Sequence, residues 1–205
     1  MARLVCVTPD AEKLIAYMAR VSSDNQDNPD IAGLITYCVK HQHWSILEMA
    51  NMVVEVTTSR AIAAQILRHR SFTFQEFSQR YAKAQTMLTF PARRQDTKDR
   101  QNSIDDMSDE DKEWFQEVQK RTHDLASLLY ERALERGIAK EQARFLLPLS
   151  TETTIYMNGT ARSWVHYLQL RTQESTQLEH RQVANAVKGL FIEQFPIVSE
   201  ALGWR

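Results

Sequence analysis

The 205-residue sequence predicts an α+β fold, helix-rich and built as a single domain over residues 1–205. Two observations carry this. Apolar residues recur at helical spacing through most of the chain, and only a few short runs are rich in β-branched residues. Composition agrees, with 43% hydrophobic and 25% charged residues, ordinary for a globular protein that is not embedded in lipid.

The elements follow in order. The segment around Cys6 reads as a strand. Thr8-Pro9 reads as an N-cap with proline at the first helical position, and Ala11, Leu14, Ile15, Met18 and Val21 form the helix's apolar face. Residues 22–30 are polar and read as a loop. Ile31, Leu34, Ile35, Cys38 and Val39 mark a second helix. Residues 50–58 read as a strand. Ser59 is placed to cap a helix running to about His69, with Ile62, Ala63, Ile66 and Leu67 inward. From Ser71 to Arg80 an extended piece would project Glu76, Ser78 and Arg80 to one side. Residues 91–108 lack periodicity and read as a long loop. Ser108 and Asp111 resemble a capping box opening a long helix, with apolar positions Trp114, Val118, Leu125, Leu128 and Leu129, that Gly137 ends. A short helix with Gln142 and Arg144 stops at Pro148. Thr151–Met157 reads as a strand and Asn158-Gly159 as a turn. Helices over about 160–170 and 175–195 end before Pro196.

Charge and cysteine usage exclude several classes. The net charge of -1 gives no global argument for nucleic acid. No apolar run reaches the roughly 20 residues a bilayer span needs. The N-terminus has no secretion signal, so a cytoplasmic location with no membrane partner is expected. Cys6 and Cys38 are expected as buried free thiols, neither placed as a nucleophile. The five glycines form no phosphate-binding loop, so side-chain cations would have to neutralise any bound phosphate. Arginine outnumbers lysine 17 to 8, which suits bidentate recognition of phosphate and carboxylate.

The densest chemistry lies at Arg68-His69-Arg70, followed by Glu76, Phe77, Ser78, Gln79 and Arg80, with Gln65 upstream. Gln65, Arg68 and His69 would share a helix face. This set suits a phosphorylated, ring-bearing ligand. Arg162, His166 and Arg171 form a second cluster on one helix. Arg144 stands among apolar residues and needs a partner. His41-Gln42-His43 lacks further metal ligands nearby, so no metal is expected. Ser78 lacks a nucleophile's sharp turn and reads as a hydrogen-bonding residue. Interleaved Phe72, Phe74 and Phe77 leave an alternative open, a non-catalytic nucleotide- or single-stranded nucleic-acid-binding protein.

Arg68-His69-Arg70, seven residues and then Ser78 resembles the RHR-x7-S signature of the flavin-dependent thymidylate synthases. Gln65, Gln79-Arg80-Tyr81, His43-x-Ser45-x-x-Glu48, Arg93-Arg94-Gln95-Asp96, Glu141-Gln142-Ala143-Arg144 and the block from Asn158 through Arg171 resemble family blocks in the same order. The resemblance spans nearly the whole chain. It implies a thymidylate synthase-complementing-protein-like fold with a small, mainly antiparallel sheet. It also implies conversion of dUMP to dTMP without an enzyme cysteine, with carbon from methylenetetrahydrofolate and hydride from NADPH through FAD. By that resemblance Ser45, Arg68, His69, Arg70, Glu76, Thr160, Ala161, Arg162 and His166 would contact FAD. Gln65, Arg68, Glu76, Phe77, Ser78, Gln79, Arg80, Arg144 and Arg171 would form the dUMP site, with Arg171 activating the uracil ring. It further implies a homotetramer with sites shared between subunits, and no nucleic-acid partner. At Thr73, Gln75, Thr160 and His166 the chain differs from many or some relatives.

Overall fold

A computed structural model describes residues 1–84 and 86–204. Its central sheet is antiparallel throughout, in the order β1 (Ala2–Val7), β2 (Asn51–Ser59), β6 (Glu152–Thr160), β3 (Thr73–Glu76). The core face of β2 carries Met52, Val54 and Val56, and that of β6 carries Ile155 and Met157, all buried, because side chains alternate across a strand. Register pairs Val54 with Met157 and Val56 with Ile155, so the largest apolar residues stand opposite each other.

Helices cover that face. They are α1 (Ala11–Ala19), α2 (Ile31–Lys40), α3 (Arg60–Ile66), α6 (Ala161–Arg171), α7 (Leu178–Gln194) and α8 (Pro196–Ala201). Trp164, Tyr167, Phe191 and Phe195 are fully buried among them. The Trp164 indole donates to the Met52 carbonyl at 2.9 Å, tying α6 to β2. The long α4 (Asp109–Glu135) and the short α5 (Lys140–Ala143) sit over a smaller core of Tyr130, Ala133 and Ala143. Ser108 caps α4 through the Asp111 amide at 3.1 Å, as its spacing predicts.

Several expectations change. The first helix is opened by Asp10, not Thr8, because the Thr8 hydroxyl accepts the Asn51 amide at 2.9 Å across the sheet. Asn158-Gly159 makes no turn; both lie in β6. Glycine is required there because a Cβ would come 2.4 Å from the Phe72 ring. Pro196 does not follow the last helix but opens α8, whose Val198 amide is accepted by Glu12 Oε1 at 2.8 Å. Burial holds that carboxyl above its usual range. Cys6 is exposed, because a bulge between Leu4 and Cys6 turns it outward; Cys38 is buried, and burial raises its thiol. Val21 and Leu67 are exposed, lying past the ends of α1 and α3. The loop over 91–108 carries a two-residue hairpin, β4 (Arg94–Gln95) with β5 (Ser103–Ile104). Trp114, Val118, Leu125, Leu128 and Leu129 all lie exposed on α4.

Candidate active site

Helix α3 organises the site. It ends at Ile66, so Arg68 and His69 lie beyond it rather than on its face, held by the amide bonds of a tightening last turn. At that end Arg171, the last residue of α6, donates from Nε to His69 Nε2 at 2.9 Å. An arginine only donates, so His69 accepts through Nε2 and carries its proton on Nδ1. Burial, reinforced by the charges of Arg171, His166 and Arg68, lowers the His69 pKa to about 4. Among the described residues Arg171 has no carboxylate partner. Its charge, half buried, remains available to a ligand anion.

Behind this pair lies a chain of polar residues. Tyr167 and His180 are buried and bonded at 3.1 Å, and His180 Nδ1 reaches Gln65 Oε1 at 3.1 Å. Gln65 Nε2 donates to Gln177 Oε1 at 2.6 Å, and Gln177 Nε2 to Glu179 Oε2 at 2.9 Å. Glu179 also forms a buried ion pair with Arg93.

A second group borders a cleft of about 530 Å³ between α6 and the 3-10 turn Trp44–Glu48. Arg162, Ser163 and His166 line it with Trp44, Glu48 and Ser71. The Thr160 hydroxyl caps α6 by accepting the Ser163 amide at 3.2 Å, and Ala161 is buried behind it. Arg162 pairs with Glu48. Ser45 is exposed on the same turn. Arg68 and Arg70 are exposed nearby in sequence, and neither forms an ion pair among the described residues.

A third group lies at the opposite, N-terminal end of α3. Arg60 bonds Glu76 Oε1 at 3.1 Å and the Phe77 carbonyl at 2.8 Å, while Thr153 donates to Glu76 Oε1 at 3.0 Å. The strand ends at Glu76, so Ser78 and Arg80 lie in a turn: Ser78 Oγ accepts the Arg80 amide at 3.3 Å. Arg80 pairs with Glu141 at 3.2 Å. Arg144 donates to the Glu141 carbonyl at 3.2 Å and lies over the Phe145 ring, so backbone and ring, not a carboxylate, are its partners. Arg60, Gln79 and Arg144 line a smaller pocket of about 200 Å³. Arg60 Nε and Gln79 Nε2 are buried there without a partner. Two donors left bare beside an arginine suit ligand oxygens.

The structure thus brings Gln65, His69 and Arg171 together, gathers Arg162 and His166 round one cleft with Ser45 exposed on its bordering turn, and places Glu76–Arg80 with Arg144. Within one chain the first and third groups make no hydrogen bond to each other among the described residues. Phe72 is buried against Trp164, so it offers no base-stacking face, and Phe74 packs partly buried on the core. No group of three or more metal-ligating residues occurs among the described residues. Sequence reasoning missed Arg60, Tyr167, Gln177, Glu179 and His180. Two signals were there: a cation opening a helix, against its dipole, and a histidine in the apolar register of Val183, Ala184, Val187 and Phe191.

The thymidylate synthase complementing protein family matches residues 3–197. A flavin-dependent thymidylate synthase of Synechocystis is 53% identical over 193 residues, covering 94% of this chain and 90% of its own. A probable flavin-dependent thymidylate synthase of Paramecium bursaria Chlorella virus 1 is 53% identical over 99% of both chains. Among solved structures, the UMP/dUMP methylase PolB of Streptomyces cacaoi bound with 5-Br dUMP superposes with a TM-score of 0.89 at 26% identity, covering 99% of this chain and 94% of its own. The chain belongs to the thymidylate synthase complementing protein family.

Proposed function

We propose that this protein is a flavin-dependent thymidylate synthase that methylates dUMP to dTMP. The names of the relatives at 53% identity support the flavin and the reaction, and the 5-Br dUMP of the structural neighbour supports the nucleotide. The observation that carries the reading within this chain is Arg171. It is a half-buried guanidinium with a neutral histidine as partner and, among the described residues, no carboxylate. Such a charge stabilises an anion developing on the uracil ring, far more in a dry site than in water.

The remaining residues fit FAD and dUMP. Exposed Arg68 and Arg70 would neutralise the FAD diphosphate, and Ser45, Thr160, Arg162 and His166 would border the flavin, with Ala161 buried behind them, His69 on the flavin side and Glu76 reaching both flavin and nucleotide. These residues would hold FAD, which, reduced by NADPH, would supply the hydride for the methyl group, with methylenetetrahydrofolate as the carbon source. Gln65 and Arg171 would face the pyrimidine. Phe77, Ser78, Gln79, Arg80 and Arg144 would hold the sugar and phosphate. Neither Cys6, in β1, nor Cys38, in α2, lines either pocket, in keeping with a reaction that uses no enzyme thiolate. The exposed apolar positions of α4 support association with further copies of the chain, which we read as a homotetramer with sites shared between subunits.

The test is anaerobic NADPH oxidation by the FAD-loaded protein, with and without dUMP, followed by addition of the folate. Oxidation followed by dTMP formation is expected. A protein that ignores FAD, or that oxidises NADPH yet makes no dTMP, sinks the assignment.

A further inference from the structure

The polar chain behind Gln65 has a direction that chemistry fixes from one end. The Glu179 carboxylate only accepts, and Arg93 keeps it paired. Gln177 must therefore turn its amide nitrogen to Glu179, at 2.9 Å, and its oxygen to Gln65. Gln65 must then turn its nitrogen to Gln177 and its oxygen to His180. That oxygen needs a donor, so His180 carries its proton on Nδ1 and accepts the Tyr167 hydroxyl on Nε2, 3.1 Å away. Burial, with the charge of Arg171 beside it, lowers the His180 pKa to about 4, so the neutral ring this order requires is the one present near neutral pH. The carboxamide orientation thus follows from hydrogen-bond valence, not from the choice of which atom is oxygen.

We infer that Tyr167, His180, Gln177 and Glu179 are positioning residues that lock the Gln65 carboxamide in one orientation, and that this lock makes the nucleotide site accept uracil and refuse cytosine. The inference rests on the reading above that Gln65 faces the pyrimidine. Uracil and cytosine differ at ring position 4, an acceptor carbonyl in one and a donor amino group in the other. A free carboxamide serves either by turning over. Here turning over would set nitrogen against the His180 N–H and oxygen against the Gln177 oxygen, two contacts of like with like. Relief would require every member to reverse, and Glu179 has no proton to give. One N–H and one lone pair of Gln65 remain for a ligand, in fixed order.

The experiment measures binding of dUMP and dCMP to the FAD-loaded protein by calorimetry, for the wild type, His180→Leu, His180→Gln and Glu179→Gln. The wild type is expected to prefer dUMP strongly. In His180→Leu the dCMP-to-dUMP ratio of Kd should fall by about tenfold or more, since the donor to Gln65 is gone. His180→Gln supplies a donor and an acceptor and should restore much of the preference. Glu179→Gln removes the end that sets the direction, with little change of shape, and should relax the preference even if His180→Leu does not fold. A ratio unchanged in Glu179→Gln, or a wild type that binds dCMP as tightly as dUMP, overturns the inference while leaving the proposed function standing. A wild type that binds neither nucleotide overturns the proposed function instead.

Discussion

Arg171 and His69 form a pair in which one partner only donates and the other must stay neutral to accept. Replacing Arg171 with alanine is expected to lower turnover on the order of a hundredfold or more, with FAD retention nearly unchanged. Equal loss of both would make it a structural arginine. The histidines also set a pH dependence. His69 and His180 each titrate near 4 in the folded chain against 6.5 unfolded. Between those values the unfolded chain binds protons that the folded chain refuses. Stability is therefore full above about pH 6.5 and falls as pH drops toward 4. Melting temperature followed from pH 7 to pH 4.5 should decline, and His180→Gln should flatten the decline; a His180→Gln curve parallel to the wild type's would assign the loss elsewhere. The motif residues were legible in the sequence because they cluster locally. His180 was not, since its partner Gln65 lies 115 positions away and only the fold joins them.

The elements that position these residues depend on one close approach. Phe72 lies across β6 at Gly159, and its ring also meets Trp164 edge-on at 4.7 Å. Gly159→Ala should therefore cost about 1–3 kcal/mol, read as a lower denaturation midpoint, and should loosen the Phe72–Glu76 segment. No loss of stability would mean that the ring moves aside freely. Helix periodicity, the Ser59 and Ser108 caps and the two long strands were readable from local pattern. The failures share a physical cause. Thr8 and Gly159 carry the local chemistry of a cap and a turn, but contacts distant in sequence, to Asn51 and to Phe72, use them otherwise. Propensity is a weak prior wherever tertiary contacts compete with it.

At the scale of the molecule, five apolar positions of α4, Trp114, Val118, Leu125, Leu128 and Leu129, stay outside the core that Tyr130 and Ala133 enter. Trp114 is 63% exposed, and Phe145, next to Arg144 in the short turn that packs against α4, is 76% exposed. A sequence shows that such a stripe must be covered, but not whether by its own chain or by another copy. Our reading assigns a second copy, which would then sit beside Arg144 while Arg171 lies at the other end of α3. If one catalytic site takes Arg171 from one subunit and Arg144 from its neighbour, inactive variants should complement each other. Arg171→Ala and Arg144→Ala chains, each nearly inactive alone, would be unfolded together, refolded in equal amounts and assayed. Random assembly leaves about one site in four with both arginines intact, so activity should return to about a quarter of the wild type's. If each site draws both arginines from one chain, no mixture restores activity. A companion change, Leu125→Asp with Leu129→Asp, should shift the mass in solution toward the 23.8 kDa of the single chain and abolish complementation together with turnover. Full activity in a species of that mass would place the whole site within one subunit and leave the α4 stripe unexplained.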